Sequence, residues 1–531
     1  MSQFNLFTSN EMDFRRLVAA LRSMERQTLY LSLFGLLVTV FASRLFSGKS
    51  SKYKLPPRVP GVPIFGNALQ VPPVQQGPWA KGLAEKYGEM FTVKFGGTPW
   101  VFLNSSRVVT DLLERRAAIY SSRPPFPMTQ DIMSGGSRIV LMPYGDRWRA
   151  TRKIMHQILS TRQKDVFQPF QDLESKNLLY DYLHNPGKWY LANGRFANSV
   201  IMSVVFGTRS TLDDPEVVAL FETIEMFLEE QQPGKNVVDG FPILATLPKA
   251  LQWWRPRGER IFNITREVYQ KQLDNVRERI KKGTQKDCFA VDFLKSTDDD
   301  PFFNETQRLF VLGTLMEAGS DTSRVSIGQM IAAAATYPDW VVRAREQLDA
   351  VCGANAERLP DLADRERLPY ITATVKEIFR WRPNIAEIGA PTSLTQDDEY
   401  EGYKFPKDTV FVWNAWAIAL DPKEYPEPER FYPERFMNAD LNNSLKGHWS
   451  FGPGRRVCVG WNVGEMNVWI AAARLLYCFD FVEDMARPID TFSIPQLTKN
   501  KPQFHVDIKV RSPAHAALIE RDCAFAPNVR Y

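Results

Sequence analysis

The chain has 531 residues, of which 44% are hydrophobic and 24% are charged, and its formal net charge is +5. These fractions are typical of a folded globular protein and exclude a disordered chain, and so small a charge gives no reason to expect a nucleic acid partner. The five cysteines are odd in number and widely spaced, which argues against a disulfide framework and favours a reducing compartment.

The first 46 residues predict a leader and a membrane anchor. Residues 1–27 carry four arginines among apolar residues at helical spacing, which fits an amphipathic helix on a membrane surface and, equally, a solvated helix. No charge occurs from Thr28 to Ser43, and extension to Phe46 brings this segment close to the roughly 20 residues that cross a bilayer. We therefore predict a transmembrane helix over 28–46, with a cleaved signal peptide as the alternative.

A basic, proline-rich hinge over 47–63 separates this anchor from the rest of the chain, and by the positive-inside rule it faces the cytoplasm. Alternating residues over Met90–Phe95 and Trp100–Leu103 predict short strands. After about Ser106 the pattern is mostly helical, with neither an internal repeat nor a domain boundary. We predict a mainly α fold over 64–531, one large helical domain with small β-sheets.

Two helical segments carry side chains that suggest a binding site. Trp148 and Arg152 are four residues apart and project from one face, where they could donate to a carboxylate or belong to a basic surface helix. Between Pro301 and Pro338 the helical pattern is far longer than the mean of about 11–12 residues. Its middle, Ala318-Gly-Ser-Asp-Thr-Ser323, is a small-residue break that predicts a kink and a groove, or a packing notch between helices.

The third and fourth motifs lie nearer the C-terminus. Glu377 and Arg380 can pair on one helical face, a common arrangement at protein surfaces. Cys458 follows a glycine-rich, doubly basic loop and precedes a helix that starts near Trp461, so the helix dipole and the two arginines favour a thiolate. A thiolate held in this way is a ligand or a nucleophile. No second cysteine stands at metal-site spacing, which argues against an iron–sulfur cluster, a structural zinc site and a dithiol.

Taken together, these motifs resemble the cytochrome P450 family. Five residues of the cysteine loop fall on the fixed positions of the family's haem-ligand signature: Phe451, Gly454, Arg456, Cys458 and Gly460. The segment Ala318–Ser323 resembles the oxygen-binding motif of the family. Glu377 and Arg380, followed by Phe431-Tyr-Pro-Glu-Arg-Phe436, resemble two further family motifs in the expected order.

The resemblance implies a role for each of these residues. Cys458 would ligate the iron of haem b, Thr322 would donate hydrogen bonds to bound dioxygen, and Asp321 would relay protons. The residues implied to hold the haem and its propionates are Trp148, Arg152, Arg456 and Phe451. Glu377, Arg380 and Arg435 would form a buried structural network.

Two positions depart from the pattern of the family. Thr392 stands where the family often has a histidine or arginine that reaches a propionate. We therefore expect His448 to complete the propionate-binding site. Glu387 replaces a common proline in a strand that usually lines the substrate pocket. Its carboxylate would either contact substrate or point to solvent.

The function that the resemblance implies is that of a haem-thiolate monooxygenase in the endoplasmic reticulum membrane, with its catalytic domain in the cytoplasm. It would insert one atom of O2 into a small hydrophobic molecule, such as a polyketide or phenolic secondary metabolite. Electrons would come from NADPH through a separate NADPH–cytochrome P450 reductase, with cytochrome b5 as an optional second donor. Haem-thiolate isomerases or dehydratases and non-catalytic membrane haem proteins are the alternatives. The segments expected to line an apolar substrate pocket with little charge are Arg123–Ile132, Leu315–Ala318, Ile385–Ala390 and Phe492–Pro495.

Overall fold

The computed structural model describes residues 53–63, 65–160, 164–232, 234–383, 387–492 and 501–530. The predicted leader and anchor, and the hinge before Tyr53, lie outside these residues. Within the described ranges, none of the helices combines the length and apolar character needed to span a bilayer. The described residues divide into two compact units, one formed by 399–404 with Tyr53 and Lys54, and the other by the remainder.

The larger unit is mainly helical, as predicted. Its helices of eight or more residues, α1 to α12 in chain order, are Gln76–Tyr87, Asp146–Leu159, Lys164–His184, Trp189–Phe206, Pro215–Glu230, Arg255–Lys282, Phe289–Ser296, Glu305–Thr336, Asp339–Cys352, Pro369–Trp381, Trp461–Cys478 and Pro513–Cys523. Shorter α-helical turns are Ser106–Val109, Ala117–Tyr120, Val237–Gly240 and Ala415–Ala419.

Three small sheets accompany the helices. The strands β1 to β8 are Met90–Phe95, Thr98–Leu103, Thr392–Ser393, Asp398–Tyr400, Tyr403–Phe405, Val410–Trp413, Phe479–Glu483 and Val506–Val510. The largest sheet has the order β1-β2-β6-β3, in which only the β2–β6 pairing is parallel. Both strands predicted from alternation are present, and they pair with each other as β1 and β2.

The long helix α8 runs through the hydrophobic core. It begins where the side chain of Asn304 accepts the N–H of Gln307 at 2.9 Å, a standard N-terminal cap. It ends at Thr336, just before Pro338, because proline cannot continue the hydrogen-bonding pattern. The helix is continuous through Ala318–Ser323, and the predicted kink in this segment stays a prediction. Serine and threonine hydroxyls there donate back to the preceding turn while the helix continues.

Candidate active site

The glycine-rich loop that precedes α11 is held in one shape by its own backbone. The N–H of Cys458 donates to the carbonyl of Phe451 at 2.7 Å, which closes the loop. Gly454 has a φ of +62°, and a Cβ there would lie 2.0 Å from the carbonyl oxygen of Leu113. Glycine is therefore required at this position, and the loop presents Cys458 just before α11 begins at Trp461.

Cys458 lies deep within the fold, and yet its side chain is exposed. This combination places it on the wall of an interior opening. Burial raises the pKa of Cys458, against the smaller opposing effects of the Gly460 N–H and the charge of Arg152. The loop alone therefore does not stabilise the thiolate form of Cys458 that the sequence predicts. A metal ion bound to the sulfur would supply the missing positive charge, because a coordinating thiol loses its proton.

Three arginines, here called the arginine cluster, lie close to one another: Arg123, Arg152 and Arg456. Within the described part of the chain none of them forms an ion pair, and their acceptors are mostly backbone carbonyls, such as that of Met142 at 2.9 Å from Arg456. Burial, with the charges of Arg123 and Arg152, lowers the pKa of Arg456 to about 8. Buried charges are normally paired, so the cluster fits a bound group that carries anions, and the two propionates of haem meet that requirement.

Arg123 is the member of the cluster that sequence reasoning did not identify as a cofactor residue. Its guanidinium donates to the carbonyls of Val140, Ala390 and Pro391 at 2.7, 2.9 and 2.6 Å. Burial lowers the pKa of Arg123 to about 10. Because Pro391 immediately precedes Thr392, Arg123 brings a positive charge next to the position where the family often has a histidine or arginine. No local pattern indicates this, because the contacts join segments that are distant along the chain.

The ring of Trp148 contacts the arginine cluster, whereas the ring of His448 packs against Phe379. The guanidinium carbon of Arg456 lies 4.3 Å from the ring centroid of Trp148. The rings of His448 and Phe451 both pack on Phe379, with centroid distances of 5.3 and 5.0 Å. Burial lowers the pKa of His448 to about 3, so a neutral ring does not replace the charge that Thr392 lacks. A hydrogen bond from His448 to a propionate stays a prediction.

One face of α8 is accessible in the middle of the core. Ala318 is exposed, and Thr314 and Thr322, one turn to either side, are half-buried, although most of the helix around them is buried. The hydroxyl of Thr322 donates to the carbonyl of Ala318 at 2.8 Å. Residues four apart share a helical face, so these three residues form the wall of an interior opening.

The small residues of this segment also allow close helix packing, which was the alternative interpretation. A Cβ at Gly319 would lie 2.9 Å from the side chain of Ile201 on α4. The side-chain amide of Asn198, also on α4, donates to the hydroxyl of Ser320 at 2.9 Å. Both interpretations therefore apply, each to a different face of the helix.

Asp321 points away from the accessible line of α8. Its carboxylate is buried and pairs with Arg324 one turn later, while its second oxygen has no hydrogen-bond partner among the described residues. The guanidinium of Arg324 is enclosed by aromatic rings, with Tyr190 at 4.8 Å and Phe221 at 3.9 Å. Thr322 and Asp321 are thus neighbours in sequence with different surroundings, and Thr322 alone lies on the accessible face.

Glu377, Arg380 and Arg435 come together in the fold. Arg380 donates twice to Glu377, with both distances at 2.7 Å and both side chains fully buried. The same carboxylate accepts the N–H of Tyr432 at 2.8 Å and the Nε–H of Arg435 at 3.2 Å. These bonds fasten α10 to the segment that leads toward the cysteine loop.

The sequence suggested that Glu387 contacts substrate or points to solvent, whereas the structure shows its carboxylate bound to the backbone of α1. It accepts the N–H of Gly77 at 2.8 Å at the start of α1, and burial raises the pKa of its carboxyl. It therefore caps a helix, a contact that the sequence could not reveal because 310 positions separate the two residues. Two of the segments predicted to line the substrate pocket are partly undescribed, because 385–386 and 493–495 lie outside the described residues.

Comparison with known proteins agrees with the resemblance that the sequence motifs show. The sequence model of the family described as Cytochrome P450 matches residues 56–508. The chain is 32% identical over 508 residues to cytochrome P450 monooxygenase verL of Clonostachys rogersoniana, covering 92% of each chain. It is 34% identical over 486 residues to cytochrome P450 monooxygenase 253 of Postia placenta, covering 89% of this chain and 90% of the relative. It is also 33% identical over 496 residues to cytochrome P450 monooxygenase patI of Penicillium expansum, covering 90% and 92%.

Proposed function

The chain belongs to the cytochrome P450 family, and from this premise we propose that it hydroxylates a small hydrophobic molecule with electrons that a separate reductase takes from NADPH. As a member of the family it is a monooxygenase that carries haem b with an axial cysteine thiolate. When bound, the haem supplies the activation of dioxygen, and thiolate donation assists cleavage of the O–O bond. The observation that carries the proposal is the pair of accessible interior surfaces, Cys458 and the line from Thr314 to Thr322.

The residues of the chain have distinct tasks in this proposal. Cys458 ligates the iron, and the arginine cluster with Trp148 holds the propionates. Thr322 presents its hydroxyl to the opening beside α8. Cleavage of dioxygen there would require a proton to be delivered while bulk water stays out. Asp321 is the second proton-handling group in this proposal, and its pairing with Arg324 fixes the position of its carboxylate.

The electron donor in this proposal is NADPH–cytochrome P450 reductase, with cytochrome b5 as an optional second donor. The chain contains no nicotinamide or flavin motif, so the reducing equivalents must come from another protein. We also assign the reaction to secondary metabolism of a polyketide or phenolic. The support is the resemblance described above, together with similarity to fungal monooxygenases.

Replacing Thr322 with alanine tests the reaction type. The expected result is at least a tenfold fall in hydroxylated product per NADPH consumed, because a positioned proton donor typically contributes about 10²- to 10⁴-fold. Product and NADPH oxidation are measured together in membranes that contain the reductase, after a substrate has been found by its spectral shift.

Thr374→Ala is the matched control for Thr322→Ala. Thr374 is also a helical threonine whose hydroxyl donates back to a carbonyl, that of Tyr370 at 2.9 Å, but it lies fully buried on α10. Its replacement should leave the coupling ratio unchanged. Equal coupling in wild type and Thr322→Ala would contradict monooxygenase proton delivery through Thr322.

For localisation we propose the endoplasmic reticulum membrane, with the anchor over 28–46 and the catalytic domain in the cytoplasm. A group of exposed apolar side chains, here called the apolar patch, supports contact of the domain itself with lipid. It consists of Val62, Phe65, Leu69, Val74, Val237, Ile243, Leu251 and Trp253. The patch residues lie in two segments, 62–74 and 237–253, and these segments meet where the rings of Phe65 and Phe241 lie 5.9 Å apart. Apolar surface of this kind is typical of protein faces that enter the membrane interface.

Serine replacement of four patch residues tests this contact: Leu69, Ile243, Leu251 and Trp253. In a chain that lacks residues 1–46, we expect at least a tenfold loss of binding to phospholipid vesicles, measured by co-sedimentation, because burial of each apolar side chain contributes about 1.5–3 kcal/mol. The matched control replaces Val342 and Met485, which are 58% and 81% exposed outside the patch, and should bind like the parent. Equal binding by all three proteins would show that the domain does not use the patch.

A further inference from the structure

A buried ion pair lies beside the accessible face of α8 and has no part in the roles assigned so far. Arg138, in the loop before α2, pairs with Glu317, the residue immediately before Ala318. Their side chains are only 4% and 9% exposed. The guanidinium of Arg138 lies 3.7 Å from the ring centroid of Phe227 on α5 and 5.6 Å from that of Phe310 on α8.

The carboxylate of Glu317 is only half satisfied. One oxygen accepts from Arg138, whereas Oε1 is buried without a hydrogen-bond partner among the described residues. Buried polar atoms are nearly always hydrogen-bonded, and one that is not indicates an absent donor. The side chain of Glu317 keeps an exposed fraction of 9%, so it is not fully enclosed by the protein.

The position of the pair indicates where that donor comes from. Glu317 lies between Thr314 and Ala318, which belong to the accessible line of α8, and the hydroxyl of Thr314 also has no hydrogen-bond partner in the described part of the chain. Arg138 is two residues before Val140, whose carbonyl holds Arg123 of the arginine cluster. Glu317 is four residues before Asp321 and shares its side of α8, so the pair lies at the edge of the accessible line, in the segment Leu315–Ala318 that the sequence predicts to contact substrate. The expectation of little charge in that lining stays a prediction.

We propose that Glu317 accepts a hydrogen bond from a hydroxyl or N–H group of the substrate, so that the enzyme selects hydrophobic molecules that carry one neutral donor. This inference rests on the proposed function. Arg138 already balances the charge of Glu317, which removes the advantage that a cationic ammonium would have. An anionic substrate would meet the carboxylate and lose affinity. The hydroxyl of Tyr269, 3.4 Å from Arg138, helps to hold the guanidinium in place.

The test uses two probes that differ by one hydroxyl group, biphenyl and 4-phenylphenol. Their dissociation constants are measured with the full-length, haem-loaded protein from the shift of its haem absorption. Wild type should bind 4-phenylphenol about tenfold more tightly, as expected for a hydrogen bond to a charged acceptor. The double variant Arg138→Leu, Glu317→Leu, which leaves no unpaired charge, should bind both probes about equally.

The control double variant is Arg511→Leu, Asp349→Leu, which removes an ion pair between α9 and the residue that follows β8, and it should keep the wild-type ratio. If the Arg138, Glu317 double variant does not load haem, Glu317→Gln replaces it and should lower the ratio at least threefold. A ratio that is equal in wild type and in these variants overturns the inference and assigns the donor to a trapped water. Failure of the proposed function looks different, because the probe ratio can then depend on Glu317 although no hydroxylated product forms with the reductase and NADPH.

Discussion

Replacement of Cys458 by alanine is expected to abolish monooxygenase activity and to remove the carbon monoxide difference band characteristic of thiolate-ligated haem. The other four cysteines of the chain are buried, and Cys458 alone is exposed to the interior opening. Burial raises the pKa of Cys352 to about 11 and that of Cys523 to about 12, so neither is poised to become a thiolate. Loss of residues that merely support a metal ligand costs about 10- to 100-fold in affinity or activity, so loss of the ligand should cost more.

Cys288→Ala provides the matched control, because Cys288 is a buried free cysteine at the start of α7. That variant should keep the carbon monoxide band and the activity, with at most a modest loss of stability. Haem content is measured in parallel by the pyridine haemochrome method, which separates loss of the ligand from loss of the cofactor. An unchanged carbon monoxide band in Cys458→Ala would contradict the assignment of this residue as the ligand.

The parts of the site that could be predicted from sequence are those whose geometry is local. Cys458 and Arg456 lie in one short loop, and Trp148 and Arg152 are one helical turn apart, so fixed spacing determines how each pair projects. The long helix α8 was predicted for the same reason, because a periodic apolar pattern extends between two prolines. Whether this helix bends at Ala318–Ser323 does not follow from the sequence, since hydroxyl groups that donate back to carbonyls can bend a helix or leave it straight.

The parts that could not be predicted depend on contacts between distant segments. Arg123 reaches the carbonyls of Ala390 and Pro391, and Glu387 caps a helix that begins more than 300 positions earlier. Each is a side chain bound to backbone groups, and any polar residue in the right place can make such a contact. No periodicity or spacing in the sequence therefore marks them. The pairing of Arg138 with Glu317 is also hidden, because 179 positions separate the two residues along the chain.

Replacement of Glu377 by glutamine should have the largest effect on stability of any change at the site. Arg380 is fully buried and receives its counter-charge from Glu377, which also accepts the N–H of Tyr432 and a bond from Arg435. Removing one member of a buried charge network leaves an uncompensated buried charge, a loss of about 3–5 kcal/mol. Native domains are stable by about 5–15 kcal/mol, so the variant should yield little folded, haem-loaded protein.

The effects of neighbouring variants should follow the depth of burial within this network. Arg435→Gln should cost less than Glu377→Gln, because Arg435 is at its edge and contacts the carboxylate at 3.2 Å rather than 2.7 Å. Glu278→Gln, which breaks the exposed pair with Lys282, should change stability by no more than about 0.5 kcal/mol. Urea unfolding followed by tryptophan fluorescence gives the three values. If Glu377→Gln and Glu278→Gln unfold at the same urea concentration, the network is not what holds α10 against the segment that leads to Cys458.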